Sequence, residues 1–324
     1  MRRAILLVAA LCAVAGAAGC GGGEGMKPPP VPPPARAEDF PKPHGRTVHQ
    51  LRAALGPAGG PTLAVSVSQL EQGWDRFGFA LFDRARAQIA AAPAAVYVGR
   101  AGRRAAGPFP ARWEALGVKR RFESRTVAKD PNAAKGVYVA RPRFRRAGSY
   151  QVLGVVRLDQ RLVAAASIGP AVRVGWRAAV PAVGQRPSPI HTPTAASVRG
   201  DVSRIDTRDP PDDMHAVDFA SAFGRRPVAI LFASPRLCPS RVCGPVVDIA
   251  EQVKAHHPDV AFIHMEVYRD NDPRKGFRPQ LLRWHLRSQP WLFTLDRRGR
   301  IAARIEGAFG AEEMERAVSA AQGR

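Results

Sequence analysis

Two kinds of hydrophobic pattern divide this sequence. In residues 62–174, apolar and polar positions alternate over short segments, as strands with one buried face require. The pattern predicts strands at residues 63–67, 76–82, 95–98, 136–140, 150–158 and 162–166. Asp159 and Gln160 separate the last two segments and predict a hairpin turn. Short alternating strands at this spacing predict an all-β sandwich.

The second pattern begins at Pro227, where strand-like and helix-like segments alternate. Strands are predicted at residues 228–233, 260–267, 291–295 and 301–305, and helices at about 240–255, 279–286 and from 310 through 321. Residues 296–299 predict a hairpin connection between the last two strands. This order predicts an α/β domain with crossover helices, followed by a hairpin and a closing helix.

The N-terminal residues predict export. A short basic start precedes an apolar stretch at residues 4–18, which is too short to span a membrane and fits a signal peptide. The stretch ends in Ala-Ala-Gly-Cys at residues 17–20, which resembles the lipobox of bacterial lipoproteins. The resemblance implies that Cys20 is lipidated and becomes the first mature residue. We therefore expect an exported protein, lipid-anchored to the outer face of the bacterial cytoplasmic membrane; an ordinary cleaved signal peptide is the alternative.

Composition sets the remaining boundaries. Residues 20–61 are rich in Gly and Pro and predict an extended tether, whereas the proline-rich stretch at 179–211 predicts a linker. The predicted organisation is a signal peptide at 1–19, a tether at 20–61, a β-sandwich at 62–178, a linker at 179–211 and an α/β domain at 212–324.

The formal charge of +22 comes mostly from arginines spread along the whole chain. A charge of this size can attract nucleic acid or an anionic membrane surface. The sequence contains no helix-turn-helix or zinc-finger pattern and no basic run interleaved with aromatic residues. We therefore expect no nucleic-acid partner.

The cysteines point to the candidate chemistry. Of the four, Cys12 lies in the predicted leader and Cys20 would carry lipid, so Cys238 and Cys243 would be the only thiols of the mature protein. Their short separation in an oxidising compartment favours a pair. The predicted strand at 228–233 delivers Cys238 to the start of a predicted helix. A helix N-terminus stabilises a thiolate, which is the form of cysteine that attacks disulfides or binds metal.

Two resemblances extend this interpretation. Residues 144–150, where Gly148 leads into a strand with an early Tyr150, resemble a feature of immunoglobulin-like domains. Residues from about 219 to 321 resemble the thioredoxin superfamily, including membrane-tethered thiol–disulfide oxidoreductases and Sco-type copper-delivery proteins of the bacterial envelope. That second resemblance implies catalytic roles for Cys238 and Cys243, and it implies that Gln289 and Pro290, at the position of the family's cis-proline, bind substrate.

The cysteine spacing departs from both families, which use two or three intervening residues where this chain has four. On a regular helix, Cα atoms at i and i+5 lie ~8 Å apart, whereas a disulfide needs about 4.4–6.8 Å. Either Cys238 precedes the helix and folds back, or the two cysteines do not pair without movement. Pro239 favours the first case, with Cys238 as the N-cap.

Three functions remain open at this stage. The first is thiol–disulfide exchange with protein thiols or disulfides of the cell envelope, which requires no cofactor or metal. The second is Cu(I) delivery, in which the two thiolates would need a third ligand, with His264, Met265 and His285 as candidates by type. The third is a non-catalytic adaptor that keeps a structural disulfide. Residues 62–178 contain no His or Cys and predict no metal site of their own.

Overall fold

The first ten strands include a sheet that closes on itself. The computed structural model describes residues 34–56, 60–167, 169, 171–175 and 180–324. These strands are β1 (Thr62–Val65), β2 (Gly73–Trp74), β3 (Phe77–Phe82), β4 (Ala94–Gly99), β5 (Ala106–Ala115), β6 (Gly136–Ala140), β7 (Arg143–Phe144), β8 (Gly148–Leu158), β9 (Arg161–Ser167) and β10 (Val172–Val174). Seven of them follow one another in the order β8, β4, β5, β6, β3, β1 and β9, and β9 then pairs with β8. The result is a seven-stranded barrel, with β10 added to β8 and a separate β2–β7 ribbon.

Strand β9 closes the barrel. It runs antiparallel to β8 through the predicted hairpin, where Asp159 and Gln160 have φ angles of 44° and 67°. Two successive left-handed residues suit a tight turn between twisted strands. On its other edge β9 runs parallel to β1, with Thr62 opposite Ala166. Because both edges of β9 are paired, neither β1 nor β8 is left as a free edge at this point.

The predicted immunoglobulin-like β-sandwich is therefore wrong. Alternation shows that each strand buries one face, and a sandwich and a barrel both satisfy that requirement. The pairing of β9 with β1 decides between them, and it joins segments far apart in the sequence. Tyr150, which suggested the resemblance, anchors the turn before β8, because its hydroxyl donates to the carbonyl of Arg146 at 2.8 Å.

The second sheet has four strands in the order β12, β11, β13, β14. They are β11 (Val228–Phe232), β12 (Ala261–Met265), β13 (Trp291–Leu295) and β14 (Ile301–Glu306). β11 is parallel to β12, whereas β13 is antiparallel to both β11 and β14. The helices are α1 (Val48–Ala54), α2 (Arg125–Ala128), α3 (Phe219–Ala222), α4 (Cys243–Lys254), α5 (Pro279–Arg283) and α6 (Ala311–Gln322).

The predicted thioredoxin α/β domain is also wrong as the fold class. The part of the chain that the structure describes is mostly β, and the sheet of this region is mixed. Helix α5, which connects β12 to β13, has only five residues, and β13 then runs antiparallel to β11. The predicted strand positions agree closely with those observed. Apolar runs locate buried strands, but they carry no information on strand direction or on partners.

The four-stranded sheet packs against the barrel. On one face, α4 and α6 share a core with Leu116, Val137 and Val139 from the barrel side. The other face is covered by α3 and α5, around an aromatic core that includes Trp284 and Trp291. Barrel and sheet belong to one compact unit, Pro32–Arg324. Residues from the barrel and from the sheet region line a cavity at this boundary, where the candidate site lies.

Candidate functional site

Cys238 and Cys243 form a disulfide. Their Cα atoms are 5.8 Å apart, which is within the range for a bridge. Helix α4 begins at Cys243 itself, three residues later than the predicted start at Ser240, and Val242 rather than Cys238 is the N-cap. Cys238 therefore lies in the loop before the helix. The turn passes through Arg241, which has a φ of 58° and donates its N–H to the Cys238 carbonyl at 3.1 Å.

The two cysteines are both buried and differ slightly in residue exposure. Cys238 is 4% exposed and Cys243 is fully buried, and both belong to the core shared with α4. The Sγ atom of Cys238 lies 3.3 Å from the hydroxyl of Ser240, an exposed residue. Cys243 occupies the first position of a twelve-residue helix, where the helix dipole favours negative charge. An incoming thiolate would therefore reach Cys238 first, and Cys243 would be the leaving sulfur.

Gln289 holds the segment that leads to the disulfide. Its side-chain oxygen accepts the N–H of Ser234 at 2.8 Å, and its amide nitrogen donates to the carbonyl of Leu237 at 3.5 Å. The same nitrogen lies 3.4 Å from the hydroxyl of Tyr268. The Gln289–Pro290 peptide bond is cis. Gln289 was predicted from sequence as a substrate-binding residue; its observed contacts are with the chain before Cys238.

A cavity of about 1030 Å³ separates the barrel from the disulfide loop. Residues from both sides line it, including Ala64, Val65, Phe79, Gln88, Lys135, Pro239, Ser240, Arg241, Val242, Gln289 and Glu306. The lining includes all four residues between the two cysteines, but neither cysteine and not Pro290. The loop that carries the disulfide is thus one wall of the cavity. The sulfur atoms lie behind that wall.

Glu306 lines this cavity and accepts hydrogen bonds from both of its sides. Its carboxylate accepts the hydroxyls of Ser68 and Ser288, each at 2.6 Å, and the N–H of Gln69 at 2.9 Å. Ser68 and Gln69 belong to the barrel side, whereas Ser288 immediately precedes Gln289. One buried carboxylate therefore connects the barrel to the segment that positions the disulfide loop.

The three candidate copper ligands are held in different surroundings. Both ring nitrogens of His264 are engaged, Nδ1 with Asp212 at 2.7 Å and Nε2 with the Ala233 carbonyl at 3.0 Å. Met265 packs in the aromatic core on the face of the sheet opposite the cysteines. His285 is exposed. In the oxidised state described here, the two sulfurs are bonded to each other.

Sequence reasoning missed a buried polar cluster formed by Asp206, Asp212, His215 and His264. One ligand atom from each of these four residues lies within 4.8 Å of the others. Three of them come from the segment at 206–215, which spans the predicted boundary at 211–212 between the linker and the α/β domain and has little apolar periodicity. The sequence signal for this cluster is the set of four aspartates and one histidine within ten positions, Asp206, Asp209, Asp212, Asp213 and His215, together with the later His264.

His264 and Asp212 shift each other's pKa values. Burial alone would lower the pKa of His264, but the charge of Asp212 and its hydrogen bond raise that pKa to about 10. Burial would raise the pKa of Asp212, yet the charge and hydrogen bond of His264, with a further contribution from His215, bring that pKa below its ordinary range. Without a bound cation, His264 is therefore an imidazolium paired with a carboxylate.

No family model matches this chain, and no curated protein matches it either. The assignment to the thioredoxin superfamily is accordingly not supported by these comparisons. Among the helices of the described ranges, none has the length and apolar character needed to cross a bilayer. Cys20 and the predicted signal peptide lie outside the described residues, so their roles stay predictions.

Proposed function

We propose that this protein carries out thiol–disulfide exchange through Cys238 and Cys243, with protein thiols or disulfides of the cell envelope as substrates. The observation that supports this best is the place of the bridge. It spans the loop that forms one wall of the cavity, and its buried sulfur occupies the first position of helix α4. A substrate chain in the cavity would lie against residues 239–242, next to the bond to be exchanged.

The exchange begins when a substrate thiolate attacks Sγ of Cys238. The Cys238–Cys243 bond breaks, a mixed disulfide forms with Cys238, and the electron pair leaves on Cys243 at the helix N-terminus. A second substrate thiolate then attacks the substrate sulfur of the mixed disulfide. The products are a substrate disulfide and two reduced cysteines, so two electrons have moved from substrate to protein. A substrate disulfide reacting with the reduced pair reverses these steps.

Loop movement is part of this proposal. Cys238 is only 4% exposed and does not line the cavity, so the loop at 239–242 must shift before a protein thiol can reach the sulfur. The contacts that oppose such a shift come from both sides of the loop. Gln289 holds Ser234 and Leu237, and one backbone hydrogen bond closes the turn at Arg241. On the barrel side, the carbonyl of Arg241 accepts the N–H of Ala134 at 3.1 Å, and its guanidinium pairs with Asp130 at 3.3 Å.

The second candidate function is an adaptor whose disulfide is structural, and the burial of both sulfurs in the core favours it. The bridge closes only a short loop, however. In the chain-entropy model, a loop of this size contributes about 2 kcal/mol, near the low end for disulfides. Cu(I) binding by the reduced thiolates stays a prediction as the third alternative.

We also propose export and anchoring through lipid on Cys20. The lipobox-like residues 17–20 support this proposal. Expression in a bacterial host with a radiolabelled fatty acid tests it. Label should appear in the wild-type chain and be absent from the Cys20→Ala variant, and label retained by that variant would contradict the proposal.

Single-cysteine variants of the full chain, purified in detergent, test the exchange chemistry. Cys243→Ser keeps the cysteine proposed to be attacked, and Cys238→Ser keeps the buried one. With glutathione disulfide as the probe, Cys243→Ser should form a mixed disulfide much faster than Cys238→Ser, as measured by mass spectrometry. Equal rates, or no adduct on either variant while both remain folded, would contradict the assignment and favour a structural bridge.

A further inference from the structure

The buried cluster of Asp206, Asp212, His215 and His264 has the composition of a metal site. All four side chains are buried, and one potential ligand atom from each lies within 4.8 Å of the others. Metal–ligand bonds of Zn²⁺ to histidine nitrogen and carboxylate oxygen are about 2.0–2.2 Å, which places the ligand atoms of a tetrahedral site ~3.3–3.6 Å apart. Small side-chain shifts would bring this set into that range.

His215 is the observation that points to a ligand. It is 2% exposed, yet neither of its ring nitrogens has a hydrogen-bond partner among the described residues. Its Nε2 atom lies 3.4 Å from a carboxylate oxygen of Asp206 and 3.4 Å from one of Asp212. A buried imidazole without hydrogen bonds is costly. A cation between these atoms would coordinate the nitrogen and both carboxylates.

His264 is oriented as metal-binding histidines usually are. Its Nε2 lies 3.0 Å from the Ala233 carbonyl, so that nitrogen carries a proton and donates. Its Nδ1 is directed at Asp212, 2.7 Å away. A histidine that donates one N–H to a backbone carbonyl presents the other nitrogen in a fixed tautomer and direction. A metal ion would take the place of the proton that Nδ1 shares with Asp212.

The surrounding charges favour a divalent cation. Asp206 and Asp212 place two carboxyl groups beside two imidazole rings in a buried site. Two carboxylate ligands would balance the charge of one divalent ion, and each imidazole would add a neutral nitrogen ligand. Asp206 is held in place by the N–H groups of Arg208 and Asp212, each at 2.7 Å. Glu266 also faces His264 and has one buried carboxylate oxygen without a partner in the described residues.

From this geometry we propose that Asp206, Asp212, His215 and His264 bind one divalent transition-metal ion of the Zn²⁺ class. Two imidazoles and two carboxylates suit Zn²⁺, whereas Cu(I) prefers sulfur ligands. The ion ties the segment at 206–215 to strand β12. Through His264 it also supports Ala233, the residue directly before the chain that leads to Cys238. This proposal is independent of the exchange chemistry.

Metal content of the full chain tests the proposal. The protein is purified in detergent with its disulfide intact, stripped with a chelator, dialysed against Zn²⁺ and analysed for bound metal. We expect about one equivalent of Zn²⁺. Replacing Zn²⁺ by Co²⁺ should give the strong visible absorption of a four-coordinate site. Failure of the folded wild-type chain to retain either metal would overturn the proposal, and the cluster would then be held together only by contacts between its own carboxyl and imidazole groups.

Variants assign the ligands. His215→Gln and Asp206→Asn should each weaken Zn²⁺ binding by at least the ~10–100-fold that loss of a supporting group costs. His285→Gln, which changes an exposed histidine, is the matched control and should bind as wild type does. Unchanged affinity in both cluster variants, or loss in the control, would contradict the assignment. X-ray absorption at the zinc edge of the wild-type chain needs no variant: nitrogen and oxygen neighbours support the site, and sulfur neighbours exclude it.

Discussion

The barrel and the four-stranded sheet differ in what they bury. Among the described residues up to 175, only Glu114 and Ser124 are buried polar side chains, and both are bonded to the other half of the molecule. The region from 180 to 324 buries twelve, among them the Asp/His cluster, Asp248, Glu266 and Glu306. The barrel therefore behaves as an apolar scaffold. The buried polar groups belong mainly to the sheet, and charged and polar contacts join the two regions in addition to their shared apolar core.

The largest effect should come from Asp248, which connects the two halves. Its carboxylate accepts Arg208 at 2.8 Å and both the N–H and the hydroxyl of Ser124 at 2.9 and 3.0 Å. Asp248→Ala leaves the guanidinium of Arg208 buried without its partner, so the free energy of unfolding should fall by about 3–5 kcal/mol. Urea denaturation measures this change. Asp270→Ala, in an exposed ion pair with Lys275, is the control and should leave stability nearly unchanged.

Arg76 should have the next largest effect. It extends from the barrel to form two hydrogen bonds with Glu313, at 2.8 and 2.7 Å, and it donates to the carbonyls of Glu306 and Ala308. Arg76→Met retains much of the apolar stem but loses these bonds, so we expect a loss of about 1.5–3 kcal/mol in unfolding free energy. Near-UV circular dichroism and fluorescence follow the unfolding of this variant. An unfolding transition equal to that of wild type would mean that Arg76 does not stabilise the contact between the two halves.

The contact between Arg76 and Glu313 also predicts that the free energy of unfolding depends on pH. Burial would raise the pKa of Glu313, but the hydrogen bond and charge of Arg76, with help from Arg112, bring that pKa below its ordinary value of 4.5. The folded state therefore binds the proton more weakly than the unfolded chain does. The stabilisation is present above pH 4.5 and is lost as the pH falls from there through the folded pKa. Denaturation midpoints of wild type and Glu313→Gln should differ at neutral pH and converge in acid.

Gln289 should have the smallest effect on stability and a clear effect on the disulfide. Removing its bonds to Ser234 and Leu237 in Gln289→Ala should raise the population of the shifted loop about 2–10-fold, the equivalent of about 0.5–1.5 kcal/mol. Reduction of the bridge by dithiothreitol should accelerate to the same extent. Gln322→Ala, a change at the far end of α6, is the control. An unchanged rate in Gln289→Ala would mean that this side chain does not restrain the loop.

The sequence carried local information well. The hairpin at Asp159 and Gln160, the anchor of Tyr150 and the apolar strands of the sheet all follow from neighbouring residues, and all were predictable. The closure of the barrel depends on the pairing of Thr62 with Ala166, which no local pattern records. For that reason a sandwich was predicted in its place.

In the candidate site, too, local features were predictable from the sequence and long-range contacts were not. The disulfide was anticipated as one of two outcomes, and the later start of α4 at Cys243 explains how a separation of five residues fits a bridge. The Asp/His cluster could not be assembled from sequence, because His264 comes from a strand and its three partners from a segment without regular structure or periodicity. Only the folded chain brings their oxygen and nitrogen atoms together.

The reduction potential of the Cys238–Cys243 bridge tests the central claim most directly. The full chain in detergent is equilibrated with glutathione buffers of graded potential, and free thiols are counted at each. We predict a reversible two-electron transition between about −120 and −270 mV, the range of known exchange catalysts. A bridge that stays oxidised below about −300 mV is characteristic of a structural disulfide and would contradict the account.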